Sequence, residues 1–516
     1  MKPPYSTHDT VLIINLGGQY AHLIACRVRR LHVYSEIINY NNINRDLLKQ
    51  IKPKAVILSG GPYSVYLKNS PKIPKWLLDV DIPILGICYG FQLIVTLLGG
   101  TVSSGKGEYG RTLITILEKD PLFDGWNKEE YVWMSHDDHV SVLPKQLKPL
   151  AISENGYIAA FKHVSKPIYG IQFHPEVRHT KKGLELLRNF LINIASIKPT
   201  WYTHNMVQEI TRELRTRIKN GKVLATVSGG VDSTVATVLV KKAIGEHRLV
   251  PVFINNGLLR ENEVKNVLNN LKKVGIKPLY INAEERFLSA LKGIRNCEEK
   301  RLIIGKIYTE IFKEIISLDK DIKWLVQGTI YPDIIESGAV PGSARIKSHH
   351  NVAGLSKILG LNLIEPLKYF YKDEVREIGL ELGIPREIIY KHPFPGPGLA
   401  VRIIGEVTKE KLYIVRKASK IIEEELVRNN LYHHVWQAFA VVGDDTWVGV
   451  KGDHRAVGRI VIVRIVESED AMTADWVRIP YEILDRISRR ITNEVPGVTM
   501  VAYSITTKPP STIEPC

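Results

Sequence analysis

Two series of short, unbroken apolar runs dominate the chain, and each run ends at glycine or a polar residue. In the first series Val11-Leu-Ile-Ile-Asn-Leu stops at Gly17-Gly18, Ala55-Val-Ile-Leu-Ser at Gly60-Gly61, and Ile82-Pro-Ile-Leu-Gly-Ile at Cys88. Residues 19–31 and 89–98 have helical spacing. A run without polar alternation suits a strand buried on both faces, and helices covering both faces of a parallel sheet produce that burial. The pattern restarts with Val223-Leu-Ala-Thr-Val, Leu249-Val-Pro-Val-Phe-Ile, Pro278-Leu-Tyr-Ile and Trp324-Leu-Val-Gln. The expected fold class is therefore α/β, with two doubly wound parallel-sheet domains.

Lys198-Pro-Thr reads as the linker that closes the first series. His392-Pro-Phe-Pro-Gly-Pro-Gly-Leu, too rich in Pro and Gly for regular structure, closes the second. Beyond it an extended run, Arg459-Ile-Val-Ile-Val-Arg-Ile-Val, and a helical pattern over 481–495 predict a smaller α+β domain. The expected boundaries are 1–197, 198–395 and 396–516.

Composition narrows the partners. Apolar residues make up 44% of the 516, enough for several cores. A net charge of +16 invites a nucleic-acid reading, but the excess divides evenly between the first 200 residues and the rest, without a basic tail or arm. Anionic small substrates fit that spread as well as RNA does. Cys26, Cys88, Cys297 and Cys516 are far apart and form no CxxC pair, so neither a disulfide framework nor a zinc knuckle is expected. Without a signal-like apolar start or a run of about 20 apolar residues, the expectation is a cytoplasmic protein with no membrane and no nucleic acid among its partners.

In Ile84-Leu-Gly-Ile-Cys88-Tyr-Gly-Phe-Gln92 a strand runs into a helix, with Gly86 and Gly90 two residues either side of Cys88. That spacing makes a sharp elbow that lifts the apical side chain above the sheet, while the helix start offers N–H groups and a positive dipole end. A cysteine ending a buried strand is just as often a small core residue. A partner tips the balance: in Ile168-Tyr-Gly-Ile-Gln-Phe-His174-Pro-Glu176 the last two polar side chains lie two apart and point the same way on an extended segment. His174 can then take the thiol proton and Glu176 can hold the imidazole. Ser59-Gly60-Gly61-Pro62, with the N–H of Tyr89, offers amides for an oxyanion.

These strings resemble the class I glutamine amidotransferases, which hydrolyse glutamine to glutamate and ammonia. The resemblance implies Cys88 as nucleophile, His174 as base and Glu176 as orienting carboxylate. It also implies a glutamine pocket that includes Gln92 and the Trp133-Met-Ser-His136-Asp137 segment.

Val223-Leu-Ala-Thr-Val is followed by Ser228-Gly229-Gly230-Val231-Asp232-Ser233-Thr234 and then a helix. Glycines let backbone amides approach an anion, and hydroxyls and the helix dipole add to the cradle. The spacing and lysine of a Walker A loop are missing. The string resembles the PP-loop of N-type ATP pyrophosphatases, which implies ATP as co-substrate, pyrophosphate held by the loop, and Mg2+ positioned with Asp232 as the metal ligand.

Further strings resemble the GMP synthetase family: Gln327-Gly-Thr-Ile-Tyr-Pro-Asp-Ile-Ile-Glu-Ser-Gly, Ile346-Lys-Ser-His-His-Asn-Val, Met472-Thr-Ala-Asp-Trp, His392 to Leu399, and Thr507-Lys-Pro-Pro-Ser-Thr-Ile-Glu. That resemblance implies adenylation of xanthosine monophosphate (XMP), displacement of AMP by ammonia, and a homodimer formed through the third domain. Arg301, Lys508 and Glu514 correspond to its XMP contacts and Lys372 to a lysine near the ATP phosphates. Asp333 and Glu336 belong with Mg2+ or base recognition, and His349-His350 with a phosphate or lid role. Asn15, Gly18 and Asn255 depart from the family's usual residues, as does the Ile-Glu-Pro-Cys end. Other PP-loop amidotransferases, making NAD or asparagine, and tRNA-modifying PP-loop enzymes are the rival readings.

Overall fold

The computed structural model describes residues 2–18, 20–336, 356, 358–468 and 473–516. The side chain of Glu336, the whole Ile346-to-Val352 string with His349-His350, and Met472 lie outside the described residues. Two compact units emerge. One is Lys2–Asn205 with residues 332–336; the other is Met206–Tyr331 with the described residues from 356 onward.

The first unit holds a nine-stranded sheet. Its strands are β1 (Thr10–Asn15), β2 (Tyr34–Asn39), β3 (Ala55–Leu58), β4 (Ile84–Ile87), β5 (Thr101–Ile116), β6 (Glu129–Val142), β7 (Leu147–Ser153), β8 (Ile158–His163) and β9 (Ile168–Ile171), in the order β2-β1-β3-β4-β9-β8-β7-β5-β6. The apolar runs form its parallel half, β2 to β9, and Val11, Leu12, Ile13 and Ile14 are fully buried. Strands β5 to β8 add an antiparallel half that the run pattern does not announce. The long β5 mixes buried with exposed positions, so no continuous apolar run marks it. Because β3, β4 and β9 are neighbours, the segments leaving their carboxyl ends meet. Those segments begin at Ser59, Cys88 and Gln172.

In the second unit β10 (Lys222–Thr226), β11 (Leu249–Asn255), β12 (Leu279–Asn282), β13 (Ile322–Val326) and β14 (Asn362–Ile364) form a parallel sheet, ordered β12-β11-β10-β13-β14. The order reverses at β10, so the loop after it opens at the switch point where open α/β sheets bind ligands. A third sheet pairs β15 (Gln437–Lys451), β16 (His454–Glu467), β17 (Asp475–Trp476) and β18 (Val498–Tyr503). The helices Lys409–Arg428 and Tyr481–Glu494 pack on it. One apolar cluster includes Leu224, Val252 and Leu325 of the second sheet together with Val461, Ile465 and Val498 of the third. The two sheets thus share a core.

Candidate active site

Cys88 sits between β4 and the helix Tyr89–Leu97 with φ 51° and ψ −104°, a positive φ unusual outside glycine and one that costs on the order of 1–3 kcal/mol. Its flanking glycines are steric requirements. A Cβ on Gly86 would lie 2.7 Å from the Gly90 backbone, and one on Gly90 would lie 2.5 Å from the Leu58 carbonyl oxygen. The amide of Tyr89 is in the first helical turn, where N–H groups have no acceptor within the helix.

The neighbouring strand ends complete the site. A Cβ built on Gly60 would lie 3.2 Å from His174 Cε1 and 3.6 Å from Cys88 Cβ, so thiol, imidazole and glycine turn surround one spot. His174 Nδ1 is 2.7 Å from Glu176 Oε1, and both side chains are almost wholly buried. Burial alone would lower the His174 pKa. The charges of Glu176 and Cys88 outweigh it and hold the pKa well above the ordinary value. Ser59 Oγ accepts from Leu16 N at 3.0 Å and donates to Gly60 O at 2.8 Å, pinning the glycine turn to the end of β1. The two departures near β1 have local reasons. Asn15 Oδ1 accepts the Gly17 N–H at 2.9 Å, and a Cβ on Gly18 would fall 2.3 Å from Gly60 O.

Gln92 and His136 are placed differently from a free pocket lining. Gln92 Nε2 donates to Asp138 O and Gln172 Oε1, at 2.9 and 3.1 Å. His136 is buried between Asp138 O (2.8 Å) and Glu108 Oε2 (3.0 Å). Their side chains brace the segment, and the group that this segment brings to the thiol is a backbone one, the carbonyl of Ser135, 3.8 Å from Cys88 Sγ. Sequence reasoning missed Glu108, Arg27 and Thr180. Arg27 Nε donates to Glu176 O at 2.8 Å, and Thr180 Oγ1 donates to His174 O at 2.7 Å. Arg27 and Glu108 act on residues 149 and 28 positions away, so nothing local signals them, whereas Thr180 stands six residues from His174.

In the second unit the loop after β10 turns at Gly229, with φ 77°, where a Cβ would lie 2.3 Å from Val267. Gly230 caps the helix Val231–Ile244, and Ser228 Oγ lies 3.1 Å from Ser233 Oγ. Thr234 is tied back to Gly230 O at 2.8 Å. Lys372, from a distant helix start, reaches Asp232 Oδ2 at 2.5 Å. Asp232 Oδ1, Gln327 Oε1 and Thr329 Oγ1 are buried without a hydrogen-bond partner. A Cβ on Gly328 would lie 2.8 Å from the Asp232 backbone, so β13 delivers Gln327–Thr329 against the loop. Unsatisfied buried polar atoms are costly, and a polar ligand at the loop would satisfy them.

The C-terminal tail gathers Arg301 and Glu514. Glu514 accepts from Arg402 Nε and Nη2 at 3.0 and 2.9 Å and from Gln437 Nε2 at 2.7 Å. Arg301 donates to the carbonyl of Cys516; burial lowers its pKa, against the pull of Glu298 and Glu514. Lys508 pairs through its backbone with Ala474. The expectation of unpaired cysteines fails for two of the four. Cys297 and Cys516 form a disulfide with Cα atoms 5.4 Å apart, and Cys26 and Cys88 take no part in it. The partners are 219 residues apart, a pairing that spacing could not suggest.

Known proteins resemble the chain along its length. The family Glutamine amidotransferase class-I matches residues 12–194, NAD synthase residues 202–307, and GMP synthase C terminal domain residues 424–515. A GMP synthase [glutamine-hydrolyzing] of Pyrobaculum aerophilum is 57% identical over 98% of this chain and 100% of its own length. The chain belongs to the glutamine-hydrolysing GMP synthase family. Relatives of the same name from Caldanaerobacter subterraneus and Aquifex aeolicus are 50% and 49% identical, each over 98% of this chain and 99% of their own. The NAD synthase match covers the β10 loop, the part that PP-loop enzymes share. The GMP synthase family accounts for the β15–β18 region, which separates this chain from the NAD- and asparagine-making rivals.

Proposed function

We propose that the chain makes GMP from XMP, ATP and glutamine through two linked half-reactions. The observation that carries the reading is the presence, in one chain related to GMP synthases along its whole length, of a strained Cys88 beside a buried His174–Glu176 pair and of a glycine-hydroxyl loop at a sheet switch point.

In the first half-reaction His174 takes the Cys88 proton, and sulfur attacks the carboxamide carbon of glutamine. Amides of Gly60, Gly61 and Tyr89 receive the oxyanion. The C–N bond breaks, with His174 returning the proton to departing ammonia, and water then cleaves the thioester to glutamate. The raised pKa of His174 suits it to carry that proton. Gln92 and His136 shape the glutamine pocket through the segment they brace.

In the second, the C2 oxygen of XMP attacks the α-phosphorus of ATP and pyrophosphate leaves. Ammonia then displaces AMP from C2. The amides and hydroxyls of Ser228, Gly229, Gly230, Val231, Ser233 and Thr234 receive pyrophosphate, with Lys372 beside it. The partnerless Oδ1 of Asp232 fits a cation, and Mg2+ held there would neutralise phosphate charge. Arg301, Lys508 and Glu514 recognise XMP.

Domain limits of 1–197, 198–395 and 396–516 go with this reading, as does a homodimer through the last domain. Trp447, Val448, Val450, Val457 and Tyr481 there are all more than half exposed, an apolar surface that a second copy would cover. No helix among the described residues is long and apolar enough to cross a membrane. The reading is of a cytoplasmic enzyme of small-molecule substrates, without a nucleic-acid partner.

Product analysis tests the reading. Purified protein with XMP, ATP, Mg2+ and glutamine yields GMP, AMP, pyrophosphate and glutamate in equal amounts. AMP formation with NAD or asparagine precursors, and none with XMP, would refute it.

A further inference from the structure

Residues 514–516 are held at several points. Terminal residues are ordinarily loose unless tied down. Here Cys516 is bonded to Cys297 at the first turn of the helix Cys297–Leu318. One turn along that helix, Arg301 donates to the Cys516 carbonyl. Two residues before the terminus, Glu514 is gripped by the forked guanidinium of Arg402, which is 1% exposed. Arg402 lies over the Phe439 ring at 4.1 Å and near Phe394 at 5.2 Å, so packing fixes its orientation. Gln437 joins Glu514 Oε1 to Pro393 O, in the Pro-Gly segment that leads to Arg402.

We propose that Arg402 and the Cys297–Cys516 disulfide form a two-point clamp that positions the Glu514 carboxylate for XMP. The inference rests on the reading of Glu514 as an XMP contact and adds what sets its geometry. A bidentate guanidinium fixes both oxygens of a carboxylate in one plane, which a lysine cannot do. The disulfide anchors the chain at Cys516, two residues beyond Glu514, removing rotational freedom that XMP binding would otherwise have to freeze. Cys516 and Cys297 act through Glu514 and are positioning residues.

The test uses the full chain and ammonia-dependent GMP synthesis. Denaturing alkylation without reductant labels two of the four cysteines, Cys26 and Cys88; labelling of all four overturns the clamp. A small dithiol cleaves the bond by exchange, itself oxidised to a cyclic disulfide while Cys297 and Cys516 become thiols. Reduced protein, Cys297→Ser and Cys516→Ser then show a KM for XMP raised about tenfold, with kcat and the KM for ATP held. Arg402→Lys raises the same constant, and its unchanged KM for ATP reports an intact fold. In a Glu514→Gln background, itself raised in KM for XMP, Cys516→Ser adds nothing further. If Glu514→Gln leaves that KM unchanged, the Glu514 reading fails and the clamp with it. If Glu514→Gln raises it while Cys516→Ser does not, the clamp alone is refuted.

Discussion

Glu176→Gln isolates the role of one charge. The carboxylate is fully buried and touches His174 Nδ1 at 2.7 Å through Oε1, while Oε2 has no partner. The amide is nearly the same size, so packing is preserved and the charge is lost. Two unit charges about 4 Å apart interact by about 4 kcal/mol at an effective dielectric near 20. At 1.36 kcal/mol per decade, the imidazolium that forms as Cys88 is deprotonated loses stabilisation equivalent to about 10^3 in rate. An amide N–H facing Nδ1 would also select the wrong tautomer, which acts in the same direction. Glutamine-dependent turnover should therefore fall about 10^3-fold, measured as glutamate release with XMP and ATP present. GMP synthesis from added ammonia should not change. The pH profile supplies an independent sign. Glu176 raises the His174 pKa, so its protonated form persists to higher pH in the wild type, and the alkaline limb of the glutaminase profile moves to lower pH in the variant. A loss of less than about tenfold, or an equal loss with ammonia, would refute the role given to Glu176.

Three further outcomes follow from the geometry. Asp232→Ala should abolish GMP synthesis with either nitrogen donor while free Cys88 chemistry on glutamine persists; ammonia-driven synthesis that survives would remove Asp232 from the ATP site. Gly90→Ala should depress glutaminase activity and spare ammonia-driven synthesis, because the new Cβ would fall 2.5 Å from Leu58 O and displace the Cys88 elbow; unaltered glutaminase kinetics would contradict the elbow's steric logic. His392 stacks on Tyr432 and is held neutral, burial pushing its pKa down to about 4. Its folded pKa lies below the unfolded value of about 6.5, so its contribution is complete above pH 6.5 and lost as pH falls towards 4, about 3 kcal/mol in all. Chemical denaturation of wild type and His392→Gln across that window should show the wild type losing this extra stability, and parallel curves would disprove the assignment.

What could be read in advance follows from the range of the signals. Cys88, His174, Glu176 and the Ser228–Thr234 loop stand at strand ends within contiguous strings, and steric or electrostatic need ties each string to its turn. Inner parallel strands such as β1, β3 and β4 announce themselves because both faces are buried. The antiparallel half of the first sheet does not, since β5, β6 and β7 mix buried with exposed positions. The strings around Gln92 and His136 imply pocket residues, yet their side chains are engaged with Asp138 O, an arrangement set by the β5–β6 pairing. Arg402–Glu514, Arg27–Glu176 and Cys297–Cys516 join positions 112, 149 and 219 residues apart, and only the tertiary fold creates them.

Ammonia made at Cys88 should be consumed at a second site that does not need Cys88. GMP formation by Cys88→Ala, measured with glutamine and then with ammonium at a pH where free ammonia is plentiful, tests it most directly. The predicted result is no GMP from glutamine and wild-type GMP from ammonia. Loss of both in a folded variant, or retention of the glutamine-driven rate, would contradict it.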